Sequence, residues 1–509
     1  MKKAIYLNLI ALGAMVLVGC NTSKNNNDSK DSSKKSENVS SETGSQTSSQ
    51  TSNQTSSQSS SSQQTGPKKT LIYRSWDLGT ETQNNEERQL VKAFEEAENV
   101  TVKIVENPGT GNFYWDGIKA SVVNGIDLAD VMMVPNLDWP LASEFLLNIK
   151  DIADADEEFA KVTPSVRDAC TFKNGIYAVP ARMNLQGYFI NIDVAESHGL
   201  IQGNTILSCS SPYSLIESIV NKAASKPGVV GLDAAAHFID TMASVLDESG
   251  EMGYFTWDGS QYHLDSEAFI QGVQKGKALF EAKKTLDAYD EEEKAALGLD
   301  PELDPKVDAW NKGKLALRYG YTYEIPDMLE NNTLGNSYQF IGNPGGKITI
   351  VGDYYGIYKN TKEPELAYKF AKWMSFGKAG FIKRMELYQA KGSVNSLPLI
   401  DDDELIDRYF EMFGDSMYMS GLEDAYDYIQ EHSMVEGVKV VPGYLSARQN
   451  KKTGIQIGEI ENATMFELLN ACYCQGEDIT QYTSGAVNIN TIANQTYTDW
   501  MTRYGSKYE

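Results

Sequence analysis

From Thr70 onward the apolar residues keep two alternating rhythms. TLIYRSW (70–76) is strand-like. The stretch 81–99 then places Leu90, Phe94 and Ala97 at helical spacing, with acidic residues early in the segment where the helix dipole favours them. VTVKIVEN (100–107) sets Val100, Val102 and Ile104 against Thr101 and Lys103, the alternation of a strand. NPGTGNFYWDG reads as a loop, IKASVVNG as a helix, and LADVMMV as the short apolar run of a buried strand. This β-α-β order predicts an α/β fold, a largely parallel sheet with helices on both faces. Ligands of such sheets sit beyond the carboxyl ends of strands, which brings Trp76, Asp77, Asp138 and Trp139 to any cleft.

The same rhythms recur further on. GIYAVPARMNLQGYFINID (175–193) gives two strand-like pieces around Pro180. GKLALRYGYTYEIPDM (313–328) gives a strand, a glycine-containing turn and a helix start. KITIVGDYYGIYKN (347–360) reads as a strand interrupted at Gly-Asp. EPELAYKFAKWMSFG opens a helix with Pro364 and stops at Gly377. ATMFELLNACYCQGED is an amphipathic helix candidate, and Asp401–Glu404 a solvated helix start that lacks the spacing of a calcium loop. No fixed-period repeat is present.

Ahead of this body the pattern breaks at one residue. Lys2 and Lys3 precede the apolar run Leu9–Val18, too short to span a bilayer, and LVGC ends it at Cys20. The tetrapeptide resembles the bacterial lipobox, in which the cysteine is diacylated and the preceding segment removed. A plain secretory signal with an incidental cysteine is the alternative. Residues 1–19 are thus expected to be a signal peptide. Residues 20–66 are expected to be a lipidated cysteine with its tether, since 23 of the 46 residues from Asn21 to Gly66 are Ser or Thr and none is aromatic. A flexible chain of that length reaches roughly 35–40 Å.

The remaining 443 residues suit two or three domains. The net charge of −25 excludes nucleic acid and an anionic membrane face as partners, so the membrane is met through the lipid anchor only. Beyond Cys20 there are four cysteines, Cys170, Cys209, Cys472 and Cys474, whose spacing completes no zinc site and fixes no pairing; no metal and no cofactor is expected. Four histidines without an H-E-x-x-H pair, and the absence of G-x-S-x-G, G-x-x-x-x-G-K-[ST] and G-x-G-x-x-G, leave enzyme readings without a motif. A glycosidase carboxylate pair stays open, because that chemistry needs only two acids at the correct separation.

Five segments in register carry a wider resemblance. They are NGIDLADVMMVPNLDWP, FKNGIYAVPARMNLQGYFINIDVAESHGL, WNKGKLALRYGYTYEIPDM, ITIVGDYYGIYKNTKEPELAYKFAKWMSFG and GSVNSLP. Together they resemble the extracellular solute-binding proteins of family 1, the carbohydrate-binding group that includes maltodextrin-binding protein. Ala129 stands where that family usually has Pro.

The resemblance implies a type II periplasmic-binding-protein-like fold, with two lobes joined by hinge strands. Residues 70–182 and 351–391 would form lobe 1, and 183–350 and 392–509 lobe 2. Crossings would fall near 180–184 and 351–355, with a third near 391–397. It also implies a monomer that captures a small solute, a sugar or oligosaccharide, and passes it to the transmembrane subunits of an ABC permease. A lipid-anchored glycoside hydrolase, and an adhesin or sensor on the same fold, are the other readings.

A sugar needs aromatic faces for its C–H surfaces and polar side chains for its hydroxyls. Candidate ligand residues are Trp76, Asp77, Asp138, Trp139, Arg182, Tyr321, Asp353, Tyr355 and Tyr444, with Asn184, Tyr319 and Tyr323 beside them. Each has a structural alternative: lobe packing for the tryptophans, helix capping for Asp138, a structural carboxylate for Arg182 and a core row for the tyrosines. Trp115 and Trp310 are expected in the core.

Overall fold

The computed structural model describes residues 68–509 except 107–111, 126–127, 414–416, 451 and 509. The signal, Cys20 and the tether lie outside the described residues.

Local sequence sets each element that frames the site. Strand β1 (Thr70–Arg74) leads to helix α1 (Glu86–Glu98). The Asn85 side chain caps this helix by accepting from Arg88 N–H, and Asn99 ends it in the left-handed conformation. Leu90, Val91 and Phe94 form its buried stripe. β2 (Thr101–Ile104) and β3 (Val131–Val134, buried throughout) pair parallel with β1 on either side. Helix α2 (Asp138–Ala142) follows β3 directly. A small hairpin, β4 (Thr171–Phe172) and β5 (Gly175–Ile176), precedes the long strand β6 (Val179–Asn191).

β6 is buried along its whole length. The two strand-like pieces read around Pro180 are β5 and β6, but the break falls at Tyr177-Ala178, and the proline lies inside β6 at an irregularity. Asp353 pairs with Arg182 but Tyr354 pairs with Pro180, so Ala181 is passed over. A bulge is where a strand tolerates a residue without N–H.

The second wing comprises β7 (Val230–Leu232), β8 (Leu315–Tyr321) and β9 (Tyr338–Gly342). β8 runs straight through Gly320, and the predicted turn comes later, as a 3₁₀ turn at Thr322–Glu324 before helix α3 (Ile325–Glu330). β10 (Ile348–Ile357) is likewise continuous through Gly352-Asp353, and β11 (Ser433–Val435) pairs with its first residues.

The sheet order is β2-β1-β3-β10-β6-β8-β7, with β9 against β6 and β11 against β10. Strands in the outer parts are parallel (β2-β1-β3 and β8-β7), whereas β10 and β6 are antiparallel to each other and to β3 and β8. β6 and β10 therefore belong to both wings: β10 meets β3 at Tyr354–Ile357, and β6 meets β8 at Gln186–Ile190.

Helices α4 (Pro364–Trp373) and α5 (Lys378–Tyr388) cover the first wing beside α1. A Cβ on Gly380 would lie 1.9 Å from the Trp373 carbonyl oxygen, so this contact requires glycine. Trp115 and Trp310 are core residues, as expected.

The carboxyl-terminal helix α6 (Ile489–Tyr504) touches two cores. Asn490 and Asn494 accept from Leu264 and Tyr262 N–H beside the second wing, whereas Trp500 packs on Phe172 and Tyr508 on Phe172 and Tyr177. Cys170, Cys209 and Cys472 are buried free thiols.

Candidate functional site

Alternation along β6 places Arg182, Asn184 and Gln186 on one face, all buried. Buried polar groups need partners, and these have them. Gln186 Nε2 donates to the Tyr321 hydroxyl at 3.1 Å. Thr322 Oγ1 donates to Asn184 Oδ1 at 3.1 Å and accepts from Leu185 N–H at 3.0 Å.

Over Asn184 opens a cavity of about 600 Å³. One wall is Thr322, Tyr323, Ile325, Pro326, Leu329 and Glu330, at the end of β8 and along α3. The other is Tyr388 and the stretch 391–395, after α5, with Leu397, Tyr409 and Leu422 closing the side. Tyr388 and Lys391, at and just after the end of α5, and residues that follow β8 thus line one space beside Asn184, on a strand shared by the two wings. Tyr323 stacks on Tyr321 at 4.8 Å and 9°, a flat pair made possible by the 3₁₀ turn. Tyrosine rings, the Asn184 and Asn395 amides and the Ser393 hydroxyl supply apolar faces and hydrogen-bonding groups together, in a volume suited to a small solute.

Behind Tyr388 lies a buried charge cluster. Arg182 pairs with Asp77 and stands 3.3 Å from Glu87. Arg384 binds Glu87 through Nε and Nη2 at 3.1 and 3.0 Å, and the Tyr388 hydroxyl donates to Glu87 at 3.0 Å. Burial alone would raise the Glu87 carboxyl, but Arg384 and Arg182 hold it down at about 2. At Asp77 burial wins, and its carboxyl is raised in spite of Arg182. Arg182 therefore takes its structural alternative.

The other predicted residues scatter. Trp76 is half-buried and meets Tyr114 edge-on at 5.2 Å; Trp139 meets Trp115 at 5.3 Å. Asp138 does not cap its helix. It is the first residue of α2, and its Oδ1 accepts from Gly443 N–H at 2.8 Å, with burial raising its carboxyl to about 7. Gly443 holds φ +81°, which favours glycine, and abuts Trp500.

Asp353 accepts from Lys439 Nζ at 2.7 Å, and the same ammonium donates to the Gly352 carbonyl at 2.8 Å. Tyr321 lies under Tyr323 and beside Glu436. Tyr355 is fully buried and exchanges a hydroxyl hydrogen bond with Tyr73 at 3.0 Å, so it faces the first-wing core. Tyr444 is also fully buried, among Phe255, Tyr262 and Arg448.

None of the nine lines the cavity; their neighbours Asn184 and Tyr323 do. The stretch 391–395 and Tyr388 were missed. The resemblance did mark this stretch, through GSVNSLP and a crossing near 391–397, but as a connection between lobes and not as ligand residues. Among the described residues no group of three or more His, Cys, Asp or Glu side chains is placed to hold a metal ion, and no helix is long and apolar enough to cross a membrane.

Known proteins agree with this architecture. The family described as bacterial extracellular solute-binding protein matches residues 79–376, more than half of the chain. No curated protein matches the sequence.

Among solved structures, the cyclic alpha-maltosyl-1,6-maltose binding protein of Arthrobacter globiformis is similar at a TM-score of 0.59 and 13% identity, over 86% of this chain and 99% of that one. The galacto-N-biose-/lacto-N-biose I-binding protein of the ABC transporter from Bifidobacterium longum, in complex with lacto-N-biose, is similar at 0.56 and 14%, over 86% and 98%. An ABC substrate-binding protein of Listeria monocytogenes in complex with cycloalternan is similar at 0.55 and 13%, over 86% and 100%. These likenesses show the fold, a mixed α/β architecture of the type II periplasmic-binding-protein kind with a mostly parallel central sheet. With the family matched across both wings of the sheet, this chain belongs to the bacterial extracellular solute-binding proteins.

Proposed function

We propose that the protein is a lipid-anchored receptor that captures a sugar or oligosaccharide between its two lobes and delivers it, unaltered, to an ABC permease. The observation that carries this reading is the cavity over Asn184, walled by residues 322–330 on one side and by Tyr388 and Lys391 on the other, and floored by β6, a strand shared by the two wings. Bending of β6 and β10 near 180–184 and 351–355 would bring Tyr323 and Tyr388 onto opposite sides of a solute. Family membership and the likeness to structures of sugar-binding proteins support the solute class. The lobe limits stay as the sequence divides them, 70–182 with 351–391 and 183–350 with 392–509.

Cys20 supports the anchor, since two acyl chains hold a protein to a bilayer stably where one does not. The Cys20→Ser variant is expected in the culture medium and not in the membrane fraction; unchanged fractionation would remove the anchor from the account. A thermal-shift screen across saccharides tests capture. A bound solute at 100 times its dissociation constant adds about 2.7 kcal/mol of stability. Recovery of intact saccharide supports a receptor, and release of shorter products would mean a hydrolase.

A further inference from the structure

We infer that Glu87 is a positioning residue for solute capture: it does not itself line the cavity but fixes the Tyr388 ring that does, an inference that rests on the cavity being the solute site. Tyr388 is half-buried and is the last residue of α5, where a helix frays. Its hydroxyl donates to Glu87 Oε1 at 3.0 Å. The same oxygen accepts from Arg384 Nε at 3.1 Å and lies 3.3 Å from Arg182 Nη2. Glu87 Oε2 accepts from Arg384 Nη2 at 3.0 Å, and that nitrogen also donates to the Met374 carbonyl at 2.7 Å. A guanidinium that is itself anchored therefore grips the carboxylate by both oxygens, and Glu87 is only 3% exposed. A charge-assisted bond to so fixed an acceptor leaves the tyrosine few orientations.

The place of this bond in the fold ties it to the solute. Arg384 lies one turn before Tyr388 on α5, Glu87 comes from α1, and Arg182 comes from β6, two residues before Asn184 on the cavity floor. One carboxylate oxygen thus joins the wall ring to the floor strand. A second tie is more exposed and weaker: the Lys391 ammonium stands over the Tyr388 ring, 5.2 Å from its centroid, and pairs with Glu86 at 2.6 Å. A ring ordered before the solute arrives has no further freedom to lose on binding.

The test is a double-mutant cycle on affinity, by calorimetric titration of the full chain with the best saccharide from the screen. Tyr388→Phe keeps the ring and removes only its hydroxyl. Glu87→Asp keeps the charge between the two guanidinium groups and draws the acceptor back by one methylene. Each single variant is expected to bind about three- to tenfold more weakly, as one side chain regains its freedom. The double variant is expected to bind no worse than the weaker single one, because both changes break the same bond. Denaturant titration follows stability separately: a merely structural Glu87 would lower stability and leave the affinity of the folded protein unchanged. Full affinity in either single variant would overturn the assignment and leave saccharide capture standing. So would losses that multiply in the double variant, since the Tyr388 hydroxyl would then meet the solute itself. Should Glu87→Asp not fold, Arg384→Lys takes its place in the cycle with the same expected pattern, because it loosens the same carboxylate. Absence of saccharide binding by the wild type would overturn capture itself, and this inference with it.

Discussion

Asp138 shows how one side chain ties the carboxyl-terminal segment to the first wing and sets a pH dependence. Its carboxyl is raised to about 7 by burial, partly offset by Gly443 N–H. The folded chain therefore holds this proton more tightly than the unfolded chain, whose Asp titrates near its usual value. The contribution to stability is present at low pH and is lost as pH rises from about 4 through 7. Asp138→Asn keeps an acceptor for Gly443, so denaturation at pH 8 should find it more stable than the wild type by about 1–3 kcal/mol, with the difference vanishing near pH 4. A variant equally destabilised at both pH values would show that the charge has no such cost.

Glu87 has the opposite sign. Held at about 2 by Arg384 and Arg182, it adds stability at neutral pH that is lost as pH falls from about 4.5 through 2. Replacing it by Gln leaves two buried guanidinium groups short of charge, and urea titration is expected to show a loss of about 3–5 kcal/mol. Tyr323→Ala, by contrast, removes a half-buried ring from the cavity wall; affinity should fall at least tenfold with a loss of stability under about 2 kcal/mol.

Elements differ in how plainly the chain announces them. β3 and α1 were legible because an unbroken apolar run and a capped amphipathic stripe each have one physical solution. Pro180, Gly320 and Gly352 each read as breaks, yet β6, β8 and β10 run through all three. A strand buried on both faces by neighbours outweighs local propensity, and the passed-over Ala181 absorbs the proline. Asp77 and Asp138 follow β1 and β3, and Arg182 and Asp353 pair across β6 and β10, but each is taken up by a protein partner. Which partner a charge finds depends on segments hundreds of residues away, such as 436–444, and periodicity carries no such information.

Tyr508 belongs to this scale too, since its hydroxyl donates to the Leu141 carbonyl at 2.6 Å while α6 is held at its other end beside Tyr262. Tyr508→Ala should cost about 2 kcal/mol, and amide exchange should rise around Phe172 and Tyr177. Exchange unchanged there would mean that this end of the chain does not brace the first wing.

At the scale of the whole molecule, two parallel wings share two antiparallel strands, and a cavity opens over one of these, β6, between residues 322–330 and Tyr388 with Lys391. The sequence resemblance anticipated this plan, whereas the cavity's own lining came only with the tertiary arrangement of residues 388–397 against α3. The most direct test of capture between the wings is a calorimetric comparison of the wild type with the Tyr323→Ala/Asn395→Ala double variant, using the best saccharide from the screen. Saturable one-to-one binding by the wild type and at least a hundredfold weaker binding by the double variant are expected, with both proteins folded. Equal affinities would contradict this capture, because the solute would then be held somewhere other than the space between the two wings.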